Sequence, residues 1–143
     1  MYYEATINQE PDGFNVWFED LPGIYTCGDN LEEALLNAED ALNFVLSYPL
    51  KVAFKQPLTF TYAPNTYLIK VKKSVAFALN LRWQREALNI TQAEMAKRLK
   101  INQSAYQRLE DTAKSNATLK LIERVEKALN TTLFDITYKP AAI

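Results

Sequence analysis

The chain has 143 residues, 48% of them hydrophobic, enough for one ordinary domain or two small ones with a real core and too many for a disordered chain. It has no histidine and a single cysteine, Cys27, which excludes an internal disulfide and the Ser-His and Cys-His nucleophile pairs and nearly excludes the common transition-metal sites. The net charge of −1 hides a division: residues 1–48 hold ten acidic residues and no lysine or arginine, residues 49–73 hold five lysines, and residues 74–143 hold eleven basic against seven acidic residues.

The first strand is expected from Tyr2 to Asn8, where Tyr3, Ala5 and Ile7 alternate with Glu4, Thr6 and Asn8. Glu10-Pro11-Asp12-Gly13 reads as a hairpin turn, with Asp-Gly supplying positive φ. Phe14, Val16 and Phe18 mark a second strand, Leu21-Pro22-Gly23 a turn, and Ile24 to Gly28 a short third strand. Asn30 is a helix N-cap with Glu33 three residues on, and the helix runs from Leu31 to about Ser47. Leu31, Ala34, Leu35, Ala38, Leu42 and Val45 form its apolar stripe, with Glu32, Glu39, Asp40 and Asn43 on the other face. Cys27 reads as a small buried residue, with a reactive thiol as the minor alternative. Pro49, Pro57 and Pro64 punctuate a loop with room for one short strand, and Tyr67 to Val71 is a better strand. The first half is therefore a β-β-β-α-β unit with a one-sided sheet, an α+β pattern.

A helix from Ser74 to Leu88, with Phe77, Leu81 and Leu88 in its stripe, opens the second half. Thr91-Gln92-Ala93-Glu94 is a capping box that starts a helix ending at Leu99, with Met95, Ala96 and Leu99 inward. After Lys100-Ile101-Asn102 a third helix begins with Asn102 as N-cap, Tyr106 and Leu109 inward, and Gln103, Ser104, Gln107 and Arg108 outward. Two short helices joined by such a turn are a helix-turn-helix, whose second helix enters the major groove of double-stranded DNA. Gln92 suits a phosphate oxygen at a positive helix N-terminus. Gln103 and Gln107 suit adenine, and Arg108 suits guanine or phosphate, with Asn102 and Ser104 beside them. The bland alternative is a solvated polar face or a helix-turn-helix used only for protein contacts. A last strand, Leu133 to Tyr138, places Phe134, Ile136 and Tyr138 on one face with no evident sheet mate, which invites pairing with a second copy of the chain.

Two resemblances follow from these residues. Asp12-Gly13-Phe14-Asn15-Val16, Asp20-Leu21-Pro22-Gly23, Gly28-Asp29-Asn30-Leu31-Glu32-Glu33-Ala34 and Asn37-Ala38 together resemble the HicB antitoxin family, with Ile24 where many members have cysteine. That resemblance implies a partial ribonuclease-H-like fold that binds and blocks a small basic toxin ribonuclease, HicA. The stretch from the capping box through Thr118, Leu119, Ile122, Val125 and Ala128-Leu129 resembles the Cro/repressor-like family, departing from it at Lys100, where glycine is usual.

The expected organisation is a toxin-binding domain over residues 1–73 and a DNA-binding and dimerisation domain over residues 74–143. An acidic lobe attracts a basic protein and repels phosphate, so the toxin contacts are expected at Glu19, Asp20, Tyr25, Asp29, Glu32 and Glu33. The rival readings are a regulator whose first domain senses a small ligand and a ribonuclease-H-type nuclease. The second would need Glu4, Glu19, Asp20 and Asp40 to converge on Mg²⁺, and surface solvation accounts for all four. No catalytic, cofactor or metal site is expected. No apolar run approaches the roughly 20 residues of a membrane span. The start Met1-Tyr2-Tyr3-Glu4 lacks a signal-peptide pattern, and the lone cysteine fits a reducing, cytoplasmic setting.

Overall fold

The computed structural model describes residues 1–48, 54–57 and 59–133. The chain divides into two compact units, Met1–Lys72 and Lys73–Ile143.

In the first unit, strands β1 (Tyr2–Glu10), β2 (Gly13–Phe18) and β3 (Tyr25–Gly28) precede helix α1 (Leu31–Ser47), and β4 (Thr66–Lys70) follows it. The sheet order is β3-β2-β1-β4, and every neighbouring pair is antiparallel. Alternation decides the inner face: Tyr3, Ala5, Ile7, Val16, Phe18 and Ile69 are buried together with Ala34, Ala38, Leu42 and Leu46 of α1. The tyrosine among them keeps its hydroxyl bonded, donating to the Lys55 carbonyl at 2.6 Å. Burial pushes the Tyr3 phenol well above its ordinary pKa, and the Asp20 charge adds to this.

The hairpin turns at Glu10-Pro11-Asp12-Gly13, as expected. Glu10 pairs with Gly13, so Pro11 and Asp12 form the two-residue connection and Gly13 opens β2 at φ +145°. A Cβ there would lie 2.7 Å from the Gly28 carbonyl oxygen. At the next turn Gly23 takes φ +97° and Ile24 donates to the Leu21 carbonyl at 3.3 Å, so β3 begins only at Tyr25.

Helix α1 starts as its sequence dictates. The Asn30 side chain accepts from the Glu33 amide at 2.9 Å, and Glu33 Oε2 reaches back to the Asp29 amide at 2.7 Å, one residue before the cap. Two sequence expectations fail here. Asn43, assigned to the polar face, is 3% exposed. Its amide donates to the Lys70 carbonyl at 3.0 Å and its oxygen accepts from the Lys72 amide at 2.7 Å, so it satisfies backbone groups at the end of β4 that no strand pairs. Cys27, expected to be buried, is exposed, because β3 alternates and Gly28 rather than Cys27 turns inward toward α1. The described part of the proline-punctuated segment is loop. It is anchored on β1 by Glu4, whose carboxylate accepts from the amides of Thr61 at 2.9 Å and Tyr62 at 3.0 Å and from the Thr61 hydroxyl.

The second unit comprises α2 (Lys73–Ala87), α3 (Gln92–Leu99), α4 (Gln103–Glu110) and α5 (Leu119–Leu129). Phe77, Leu81, Met95, Ala96, Leu99, Tyr106, Leu109, Val125, Leu129 and Leu133 form its core. Leu88 does not join it and is 50% exposed. The helix has already ended, and Asn89 at φ 54° turns the chain so that Ile90 packs against the core instead. Leu119, at the first position of α5, is likewise exposed, at 76%. The expected C-terminal strand, with Phe134, Ile136 and Tyr138, lies outside the described residues.

Asn89, Lys100 and Asn130 end α2, α3 and α5 in the left-handed region. Asparagine adopts that region more readily than lysine, for which it costs about 1 kcal/mol. At Lys100 (φ 55°, ψ 44°) the amide bonds back into α3, and Ile101 N–H reaches the Ala96 carbonyl at 3.0 Å, the double bond pattern that usually takes glycine. Lys100→Gly should therefore stabilise this unit by about 0.5–1 kcal/mol, the relief of left-handed strain less the extra backbone entropy of glycine. Equilibrium urea unfolding measures it, and a destabilised variant would show that the lysine carries no strain.

Candidate nucleic-acid interface

Each of the three short helices of the second unit is N-capped by its own side chain. Thr91 accepts from the Glu94 amide at 3.1 Å, Asn102 from the Ala105 amide at 2.7 Å and Thr118 from the Leu121 amide at 3.2 Å. The caps fix where α3 and α4 begin. Ala96, 2% exposed, is a small residue of α3 in the core that it shares with Tyr106 and Leu109 of α4.

A polar network ties the two helices together. Glu110, at the end of α4, receives Arg85 of α2 through Nε at 2.5 Å and Nη2 at 3.0 Å, the Tyr106 hydroxyl at 2.7 Å and the Gln92 amide at 2.9 Å. Arg85 Nη1 also donates to the Ile90 carbonyl at 2.8 Å. The Arg85 and Glu110 side chains are only 12% and 4% exposed. Burial alone would raise the Glu110 pKa, but the bonds from Arg85, Tyr106 and Gln92 outweigh it and hold the carboxyl below its ordinary range. The Glu110 bond raises the pKa of Arg85. Burial, then the same carboxylate, raises that of Tyr106. Three helices thus converge on one carboxylate, which fixes the outer face of α4.

That face carries Gln103, Ser104, Gln107 and Arg108, all exposed, opposite the buried Tyr106 and Leu109. The other two residues expected to contact DNA are partly committed elsewhere. The Asn102 oxygen serves as the cap, leaving its amide, and Gln92 is half-buried with its amide nitrogen aimed at Glu110. A second N–H remains on that nitrogen at the positive start of α3.

Sequence reasoning missed Lys114 and Asn116. They line one shallow cleft of about 450 Å³ with Asn102, Ser104, Ala105, Arg108 and Leu109. The loop that carries them is folded by Asp111, whose side chain accepts from the Ala113 amide at 2.9 Å and whose carbonyl accepts from Ser115 N–H at 2.8 Å. A lysine and an asparagine just after an outward-facing helix were the available signal. The arrangement presents an amide-and-guanidinium row suited to base edges, with a flanking ammonium suited to phosphate.

In the first unit the expected protein-contact residues separate into two groups. Glu19 and Asp20 follow β2, near the start of β3, whereas Asp29, Glu32 and Glu33 sit at its far end, where α1 begins. The four residues of β3 lie between them. Asp20 is not a free rim charge: it pairs with Lys55 Nζ at 2.5 Å and is 24% exposed. Glu19 accepts from the Trp17 indole at 2.9 Å. Tyr25 is 75% exposed. Asp29, Glu32 and Glu33 instead share their end of the sheet with Glu10 and Asp12 of the hairpin, since Gly13 and Gly28–Asp29 approach closely there.

The capped helix pair, its left-handed turn and the exposed polar face define a helix-turn-helix DNA-binding domain. The Helix-turn-helix family matches residues 81–136 of the chain, spanning α3, α4 and α5. The chain is also similar to an uncharacterized 14.9 kDa protein in the rep-hol intergenic region of Haemophilus phage HP1 (strain HP1c1), 43% identical over 44 residues. That match covers 31% of this chain and about a third, 33%, of the relative. Among the described residues no helix is long and apolar enough to cross a membrane.

Proposed function

We propose that this chain is a HicB-type antitoxin of a type II toxin–antitoxin system. Its first unit, a partial ribonuclease-H-like domain, binds and neutralises a small basic mRNA-cleaving toxin of the HicA kind. Its second unit represses the operon that encodes both. The observation that carries the reading is the union, in one chain, of a helix-turn-helix with a β-β-β-α-β unit whose first 48 residues contain ten acids and no base. A surface of that sign suits a protein that itself binds phosphate. The chain acts in the cytoplasm, without a cofactor, and as a homodimer or higher homo-oligomer. This reading gives the chain no catalytic role; the engagement of Glu4 by Thr61 and Tyr62, of Glu19 by Trp17 and of Asp20 by Lys55 is consistent with it.

Expression of the chain together with its genomic neighbour tests the reading. The neighbour alone should arrest growth and cleave mRNA, and the pair should form a stable complex that relieves both effects. A harmless neighbour, or toxicity that this chain does not relieve, rejects the antitoxin role. A gain in stability with a small molecule instead would favour a ligand sensor.

On the DNA side, Gln103→Ala and Arg108→Ala should each weaken operator binding by about 1–3 kcal/mol. The melting temperature should hold, because both side chains are exposed. Lys114→Ala should weaken all sequences alike and lower the salt slope by about 1. Titrations on operator and scrambled duplexes at several salt concentrations check this. Parent-like binding by both α4 variants would mean that another surface reads the DNA.

A further inference from the structure

Helix α1 has a buried apolar face and an exposed face that mixes apolar and acidic side chains. One, through Ala34, Ala38, Leu42 and Leu46, is spent on the sheet. On the other, Leu36 is 62% exposed and Phe44 69%. They lie eight residues apart with Asp40 midway, so the three share one stripe. Tyr48 extends it: its ring packs on Phe44 at 5.9 Å between centroids, and it is 51% exposed. Single exposed apolar side chains are ordinary, but an aligned group on one helix marks an interaction surface.

The charges beside it select the occupant. Residues 31–48 contain no lysine or arginine, and Glu32, Glu33 and Asp40 are exposed. A nucleic acid or an anionic membrane is repelled. A second copy of this face would set acid against acid with nothing to compensate. We propose that the solvent face of α1 is the docking surface for a basic protein partner, with Leu36, Phe44 and Tyr48 meeting apolar groups, Asp40 between them meeting a basic residue, and Glu32 and Glu33 meeting basic residues on the rim. The proposal rests on the antitoxin reading only for the identity of that partner. It moves the contact away from Glu19, Asp20 and Tyr25.

The test places a photo-crosslinking phenylalanine analogue at position 44 of the full chain in its native cells, and at position 25 for comparison. The captured protein is then purified, and its affinity is measured for the parent chain and for Leu36→Ser/Phe44→Ser, whose unchanged melting temperature confirms the fold. The expected result is a basic protein captured at 44 and not at 25. Its binding should be salt-sensitive and weakened about 30-fold or more by the double substitution. If that protein cleaves RNA, the antitoxin reading stands with the surface; if it does not, the surface stands and the antitoxin reading falls. Capture of an RNA-cleaving protein at position 25 overturns the surface and keeps the antitoxin. Crosslinks to a second copy, no capture at 44, or unchanged affinity overturn the proposal.

Discussion

Replacing Glu110 by alanine should destabilise the helix-turn-helix unit by about 3–5 kcal/mol, the usual result of leaving one partner of a buried ion pair alone. The loss is large because one carboxylate serves Arg85, Tyr106 and Gln92 together, in a setting where its own side chain is 4% exposed and that of Arg85 12%. The melting temperature of this unit should fall by roughly 15 °C or more. Replacing both ions, as in Arg85→Met/Glu110→Leu, should recover much of the loss, since the isolated charge is then gone. Acid should act in the same direction. The folded carboxyl titrates below its ordinary value of 4.5, so its stabilisation is complete above that value and is lost as pH falls through the lowered one. Urea melts of the variants across that range decide the matter. A loss below about 1 kcal/mol for Glu110→Ala would show the network to be hydrated and weak. DNA affinity should fall further than stability alone explains, because Gln92 would lose the partner that aims it.

The second large effect is expected at Gly28. A Cβ on this residue would sit against the Ala34 amide nitrogen, 2.8 Å from Ala34 Cα and 2.9 Å from the Glu33 carbonyl carbon. All three are backbone atoms in the first turn of α1, so no side-chain rotation relieves the overlap. Gly28→Ala should cost about 3 kcal/mol, the upper end of the usual overpacking range. The strain should act on how α1 enters, through the Asn30 cap and the Asn37 amide that donates to the Cys27 carbonyl at 2.8 Å. Hydrogen exchange should quicken first at the amides of Glu33 and Ala34. DNA binding by the second unit should survive, because no atom of that unit changes. An alanine variant as stable as the parent would mean that β3 and α1 separate without cost, and the close approach would then have no structural role.

Local rules were enough to place most elements. The 17 residues of α1 were legible from Asn30, Glu33 and the apolar period, and the helix-turn-helix from Thr91, Asn102 and the spacing of Met95, Leu99, Tyr106 and Leu109. The outward row on α4 followed from the same period, since a helix that buries Tyr106 and Leu109 must present Gln103, Gln107 and Arg108. The sign of the first unit was likewise written in composition alone. Caps, periodicity and charge depend on residues close in the chain, and those determinants are complete in a single sequence.

What the tertiary structure alone decided are pairings across long separations. Asn43 reads as polar by period, but it is buried because the end of β4, 27 residues away, offers it a free carbonyl. Glu4 and Asp20 read as solvated acids, yet one gathers the loop at Thr61 and Tyr62 and the other pairs with Lys55. Gln92 and Lys114 changed meaning for the same reason: the first is turned toward Glu110, and the second joins Arg108 across a cleft. A side chain's partner is fixed by which elements the fold brings beside it, and neither polarity nor period carries that information.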